Sequence, residues 1–214
     1  MTEPLRKVYE NNRQRFDQAQ AIVADHLRKL LRTKRLLDPA EIETRVSAPV
    51  KHPNSVVRKV RLIERREGVQ IRTFRSLQAH LHDLAGVRVV CDYLTDVPFI
   101  IGYLQAHPAF KVLPESRADY ISNPKDGYRG FHLVVLVDTS FGKTKCEVQI
   151  QTALQHAWAA RSHTLLYKLG ARDLERVPVE LRFLMVNQSD LLYVIEQMVE
   201  IMDRAIRGYL RRAR

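Results

Sequence analysis

In CEVQIQ (146–151) polar and apolar residues alternate with a period of two, so a strand puts Glu147, Gln149 and Gln151 on one face and Val148 and Ile150 on the other. A carboxylate between amides serves either as a solvated polar face or as a metal ligand and proton acceptor, and the alternation alone leaves both readings open. Three other segments offer partners for the chemical reading. Asp83 stands just before the β-branched run GVRVVCDY (86–93), which carries Arg88. Lys51, Arg58, Lys59 and Arg61 form a basic cluster with phosphate-binding charge. Two carboxylates on neighbouring strands suit a divalent cation bridging phosphate oxygens, because Mg²⁺ prefers hard oxygen ligands and binds through one or two carboxylates plus substrate. NPKDGYRGFH (123–132) adds Gly127 for a tight bend, the aromatic face of Tyr128, and the polar reach of Lys125, Arg129 and His132. Taken singly, each of these is equally a turn, a packed ring or a surface charge.

The elements that must position these groups are marked by period and punctuation. Leu5, Val8, Phe16, Ala19, Ile22, Val23, Leu27 and Leu30 share a 3.6-residue stripe, which predicts one or two amphipathic helices over 4–36 with a basic opposite face. After Asp38-Pro39, EIETRVSAPVK (41–51) reads as extended, with Pro49 confining it to an edge or an end. Pro53, Asn54 and Ser55 start a helix that Gly68 closes, and SLQAHLHDL (76–84) is a second, short one. GVRVVCDY has the pattern of a central strand, 95–107 of a helix, and 110–113 of a short strand. Pro, Ser, Asn, Asp and Gly then make 114–128 a long loop, of the kind that often carries function.

YRGFHLVVLVDTS (128–140) is the next strand, Phe141-Gly142 its turn, and the strand of Glu147 follows. Thr152 is placed to N-cap a helix in which Leu154, Trp158, Leu165 and Leu166 form a packed stripe. From Glu180 onward Leu192, Ile195, Val199, Met202, Ile206 and Tyr209 step by three and four, a seam that packs against its own domain or against another subunit.

At 214 residues, with 45% hydrophobic and 28% charged residues, the chain suits one ordered domain, with a catalytic core over about 40–170 and helical ends at 4–36 and 175–213. No apolar run approaches the roughly 20 residues that span a bilayer, and MTEPLRKVYENNRQR has no apolar signal segment, so a cytoplasmic location is expected. Cys91 and Cys146 lie in separate apolar runs without disulfide or zinc spacing and read as small buried hydrophobes. The formal charge of +11 favours a polyanionic partner, nucleotide phosphates or RNA.

DLAGVRVVCDY, ADYISNPKDGYRGFH and EVQIQTALQHAWAARSHTLLYK, in this order, resemble the synthetase motifs of the RelA/SpoT family over about residues 40–170. The resemblance implies an α/β (α+β) fold, a nucleotidyltransferase-like mixed sheet flanked by helices. It implies transfer of the β,γ-pyrophosphoryl group of ATP to the 3′-hydroxyl of GDP or GTP, with AMP as the other product, in the manner of the short alarmone synthetases. Carried over by motif, Asp83 and Glu147 would hold Mg²⁺, and Glu147 would take the proton of the acceptor hydroxyl. Arg88 would stack on adenine while Lys51, Ser55 and Lys59 grip the ATP phosphates. Tyr128 would stack on guanine, with Arg117, Lys125, Arg129 and His132 on the acceptor side. A homo-oligomer, such as a tetramer built through terminal helices, is implied as well.

This chain departs from the family pattern at three places. Pro49 stands where an adenine-sandwiching arginine is usual, Gln151 replaces the arginine of EIQIRT, and GYRSLH reads GYRGFH. The acidic pair and the tyrosine remain. His82-Asp83 also spells the dipeptide of HD-type hydrolases, but the strand-entry motif already accounts for Asp83. Two other readings fit the basic surface: a relative that transfers pyrophosphate to the 3′-CCA end of tRNA, and a non-catalytic RNA-binding module. An adenine-nucleotide acceptor is a lesser variant. The sequence leaves the preferred acceptor, regulation and subunit number open.

Overall fold

The computed structural model describes residues 3–33, 39–48, 51–167 and 176–212. Backbone packing groups them into two units. Unit 1 comprises Met1–Val89, Tyr103–Arg117 and Leu133–Gln149, and unit 2 comprises Val90–Gly102, Ala118–His132 and Ile150–Arg214.

Unit 1 holds most of a mixed five-stranded sheet. Its strands are β1 (Val46–Ser47), β2 (Gly86–Cys91), β3 (Lys111–Asp119), β4 (Phe131–Thr139) and β5 (Gly142–Thr152), in the order β1-β2-β5-β4-β3. β1 is antiparallel to β2, with Val46 opposite Val89. β5 is central, and along it Cys146 and Val148 are buried while Lys145, Glu147 and Gln149 are half-buried. The period-two reading of this stretch therefore holds as far as Ile150, after which Gln151 is buried as well. Both cysteines are buried free thiols, and burial pushes the Cys146 thiol far up.

Helices α1 (Glu3–Asn11) and α2 (Arg13–Thr33) precede the sheet, and Leu5, Phe16, Ala19, Val23, Leu27 and Leu30 are all buried as the stripe requires. Residues 34–36 of that stretch lie outside the described residues, as does Pro49. α4 (Pro53–Glu67) starts at His52, whose ring nitrogen accepts from the Asn54 amide, and ends at Gly68 in the left-handed region at φ 68°. Glu64 turns the chain onward by accepting the Ile71 amide at 2.9 Å and pairing with Arg72. α5 (Phe74–His80) is closed at its start by a reciprocal cap between Thr73 and Ser76.

Two segments differ from the sequence reading. Residues 41–45 belong to helix α3 (Pro39–Arg45) rather than an extended run, leaving two residues of strand. Proline at the first helical position followed by Ala, Glu, Ile and Glu is good helix-starting chemistry, which the later Pro49 obscured. Residues 114–119 continue β3 instead of opening a loop, so the loop spans 120–130 only. Pro114 is tolerated because β3 is the edge of the sheet, where a missing N–H costs no ladder bond.

Unit 2 contains the loop 120–130 and helices α7 (Ala153–Ser162) and α8 (Val179–Arg212), with a π-turn at His163–Tyr167. The remaining helix α6 (Asp96–Ala106) begins in unit 2 and ends in unit 1. Thr152 caps α7 together with Gln155, and Trp158 is buried, as its spacing predicts. Leu165 is exposed, so the stripe stops before it; the Leu166 side chain lies outside the described residues. On α8 the residues Ile195, Val199, Met202, Ile206 and Tyr209 are all exposed. The seam is not covered by the described residues of its own chain.

Candidate functional site

The acidic site is built in unit 1, where a cavity of about 170 Å³ is lined by Lys51, Asp83, Gly86, Val87, Arg88, Glu147 and Gln149. Asp83 enters from the turn before β2, and one carboxylate oxygen pairs with both Lys51 and Lys59, the latter at 2.7 Å. Burial alone would raise this carboxyl, but the two ammonium groups outweigh it and hold Asp83 below the usual aspartate range. The pairing stabilises the fold above the ordinary aspartate value and is lost as pH falls through the lowered one. The other oxygen, Oδ1, is buried without a hydrogen-bond partner. A buried, unpaired carboxylate oxygen beside a second carboxylate fits a hard cation better than a closed structural ion pair.

Glu147 is fixed by its strand, its amide donating to the Ala85 carbonyl at 2.9 Å. Its side chain accepts from Gln149 Nε2 at 2.7 Å, and Gln149 Oε1 in turn accepts from Arg88 at 3.1 Å. The period-two face thus links Arg88 to Glu147 through one amide. Lys51 is steadied through its backbone carbonyl, which accepts from the Tyr9 hydroxyl of α1 at 2.8 Å. Sequence reasoning gave Tyr9 no role, since 42 residues separate the pair and no local pattern reports such a contact.

Among the remaining donor candidates, Ser55 is half-buried in the first turn of α4. Arg58 and Arg61, grouped with Lys51 and Lys59 by sequence proximity, line a different cavity. Successive helical residues point about 100° apart, so neighbours in sequence face different ways.

The acceptor candidates Lys125, Tyr128, Arg129 and His132 lie in unit 2, whereas Arg117 is exposed on the part of β3 that belongs to unit 1. Lys125 and Tyr128 exchange backbone hydrogen bonds around Asp126 (φ 50°) and Gly127 (φ 79°), the signature of a type I′ turn. Lys125 is exposed, and Tyr128 and His132 are half-buried. Tyr128 and His132 share a 2.6 Å hydrogen bond, and Tyr120 meets both rings edge-on. Arg129 is buried; its guanidinium pairs with Asp190 at 2.7 Å and stacks 4.3 Å from the Tyr193 ring.

α8 braces this loop throughout. Ser189 donates to the Gly127 carbonyl, and Trp158 Nε1 donates to the Met185 carbonyl at 3.0 Å. Glu196 accepts from Thr152 and, at 3.1 Å, from Gln155. Gln151, where the family pattern has arginine, is buried and donates to the Arg129 carbonyl at 3.0 Å. A Cβ at Gly130 would stand 3.1 Å from Gln151 Cγ, so these two departures from the pattern fit each other. Asp190, Tyr193 and Glu196 were invisible as site residues because they sit on the helix read only for its seam.

Burial raises the Glu196 carboxyl above the usual glutamate range, against the hydrogen bonds from Thr152 and Gln155. The fold therefore favours the neutral form more than the unfolded chain does. Its contribution is present below the ordinary glutamate value and lost as pH rises through the raised one. Glu196→Gln is expected to remove that pH dependence and to match or exceed the parent's stability at pH 8, measured as Tm against pH. Equal pH slopes in the two proteins would contradict the assignment.

The region found in RelA / SpoT proteins matches residues 48–172 of this chain. The GTP pyrophosphokinase YwaC of Bacillus subtilis is 32% identical over 130 residues, 57% of this chain and 60% of that protein. YjbM, a GTP pyrophosphokinase of the same organism, is 32% identical over 142 residues, 64% of this chain and 63% of that protein. The matches thus span under two thirds of these relatives. The crystal structure of small alarmone synthetase 1 from Bacillus subtilis, bound to its product pppGpp, superposes with a TM-score of 0.69 over 92% of this chain and 95% of that one. At 23% identity that likeness speaks to the fold. With the acidic pair seated in its basic cavity and the motif region matched across more than half its length, the chain belongs to the RelA/SpoT family, beside relatives that are GTP pyrophosphokinases.

Proposed function

We propose that this protein is a GTP/GDP pyrophosphokinase that moves the β,γ-pyrophosphoryl group of ATP to the 3′-hydroxyl of GDP or GTP, releasing AMP. The observation that carries the reading is the unit 1 cavity, where Asp83 Oδ1 is buried and unpartnered next to Lys51, Arg88 and Glu147. Lys51, Ser55 and Lys59 grip the ATP phosphates, and Arg88 stacks on adenine. Asp83 and Glu147 would hold Mg²⁺, which supplies charge neutralisation and alignment for phosphoryl-type chemistry. Glu147 takes the proton of the attacking hydroxyl. Gln149, bonded to it, orients the carboxylate.

On the acceptor side Tyr128 stacks on guanine, with its ring set by His132 and Tyr120. Lys125, His132 and Arg117 supply polar and cationic reach. Arg129 serves the acceptor by fixing the loop, since its own guanidinium is held by Asp190 and Tyr193. The GTP pyrophosphokinase relatives support this substrate class. The exposed α8 seam supports assembly into a homo-oligomer, by burial of five apolar side chains that the described residues leave in water. Among the described residues no helix is long and apolar enough to cross a membrane.

The test is transfer of label from ATP carrying it in the β,γ-phosphates, with GDP, GTP and deacylated tRNA offered separately. Label on a guanine nucleotide is expected. Label on tRNA alone would make the protein a translation-blocking relative instead, and RNA binding without any transfer would make it a binding module.

A further inference from the structure

Lys51 lines the acidic cavity from a residue that belongs to neither a helix nor a strand. A lysine reaches its target as a point charge on a four-carbon stem, without the rigid fork of an arginine, so where its backbone stands decides where the charge can go. The Lys51 ammonium group shares one carboxylate oxygen of Asp83 with Lys59. Its backbone is tied from α1, where the Tyr9 hydroxyl donates to the Lys51 carbonyl at 2.8 Å. The next residue, His52, is held by its own cap on α4. The tie from Tyr9 thus pins the one peptide by which Lys51 hangs on that helix.

Tyr9 is itself held firmly. It is 2% exposed, and its ring stacks on Phe16 at 5.7 Å with an interplanar angle of 19°. Phe16 rests in turn against Phe74, at the start of α5, with ring centres 6.0 Å apart. A buried, stacked ring has little room to turn, so the hydroxyl is aimed by packing rather than by the bond it makes. Burial raises the Tyr9 hydroxyl above the ordinary tyrosine value, so it keeps its proton and remains a donor through the neutral and mildly alkaline range. Phenylalanine would meet the same packing; the hydroxyl is what reaches Lys51.

We propose that Tyr9 is a positioning residue of the donor site: through the Lys51 carbonyl it places the Lys51 ammonium group where the phosphate tail of ATP is taken. This role rests on the ATP binding proposed for the acidic cavity. It gives α1, which the sequence marks only as amphipathic, a part in holding the donor nucleotide.

Calorimetric binding of the α,β-methylene analogue of ATP, whose α–β bridge resists cleavage, and of GDP, each with Mg²⁺, tests this beside the kinetics of label transfer. Tyr9→Phe keeps the ring packing, and its Tm checks the fold. Affinity for the analogue and KM for ATP should both worsen about three- to tenfold, the usual worth of one hydrogen bond, with GDP affinity within about twofold of the parent. Leu30→Val, which trims a buried side chain of α2, should lower Tm and leave both affinities in place. On a Lys51→Ala background, Tyr9→Phe should change analogue affinity by less than about twofold, because its effect passes through that side chain. Unchanged analogue affinity in Tyr9→Phe, an equal loss for GDP, the same loss in Leu30→Val, or full additivity with Lys51→Ala would overturn the proposal. A parent that binds the analogue yet transfers no label would overturn the proposed reaction alone, and the variants' affinities would still decide the role of Tyr9. A parent that binds no analogue would overturn both.

Discussion

Glu147→Gln is expected to lower pyrophosphoryl transfer by a factor on the order of 10² to 10⁴, the usual worth of a general base, with the melting temperature nearly unchanged. The carboxylate is the one group of the acidic cavity whose proposed task is to accept a proton, and an amide of the same shape cannot do so. Structure should survive, because the Glu147 amide keeps its bond to Ala85 and Gln149 Nε2 still finds an acceptor oxygen in the new amide. The loss should fall chiefly on kcat, as for an interaction made in the transition state, with a smaller rise in KM for ATP because Glu147 is also a proposed ligand of Mg²⁺. Paired kinetics and thermal melts check this. A variant that turns over within a few-fold of the parent would remove Glu147 from the chemistry, and one that melts much earlier would make its role structural.

Gly127→Ala is expected to destabilise unit 2 by about 2–5 kcal/mol and to raise KM for the acceptor more than for ATP. Two costs add. Gly127 lies at φ 79°, where a side chain costs about 1–2 kcal/mol. A Cβ there would also stand 2.7 Å from Trp158 Cζ2 and 3.2 Å from the Val186 Cα. Overpacking against an indole and a backbone atom costs about 1–3 kcal/mol more. Relief would require α7 or α8 to shift, and a shift of α8 would also move Ser189 off the Gly127 carbonyl. Denaturant melts and acceptor titrations measure the two effects. A neutral substitution would show that the loop is not held as tightly as these contacts require.

What the sequence carried in advance was short-range. The alternation at 146–151 placed Glu147 and Gln149 on one face, and that face proved to be the link from Arg88 to the carboxylate. Thr152 and Gly68 acted as helix caps because capping depends on immediate neighbours. Asp126-Gly127 formed the tight turn its composition required. Misreadings arose where a local signal was overruled by position in the fold. Pro114, Ser116 and Asp119 suggested a loop, yet an edge strand accepts all three. The arginines of α4 were pooled with Lys59 by proximity in sequence, whereas helical rotation sends them to another hollow.

The parts that were not legible depend on contacts far apart in the chain. Asp190 is 61 residues from Arg129, and Glu196 is 44 from Thr152. Nothing in the period of α8 distinguishes those polar residues from solvated ones, because their partners are chosen only when unit 2 is assembled. The motif resemblance singled out the loop that is proposed to hold the acceptor. It did not reveal that Arg129 and Gln151 would be spent on holding that loop in place.

The measurement that bears most directly on the proposed reaction is phosphorus NMR of one mixture of protein, Mg²⁺, ATP and GDP, followed to completion. Pyrophosphoryl transfer should give AMP and a 3′-pyrophosphorylated guanine nucleotide in equal amounts, with no inorganic phosphate. ADP appearing with GTP or with free phosphate would mean that a single phosphoryl group moves, and would contradict it.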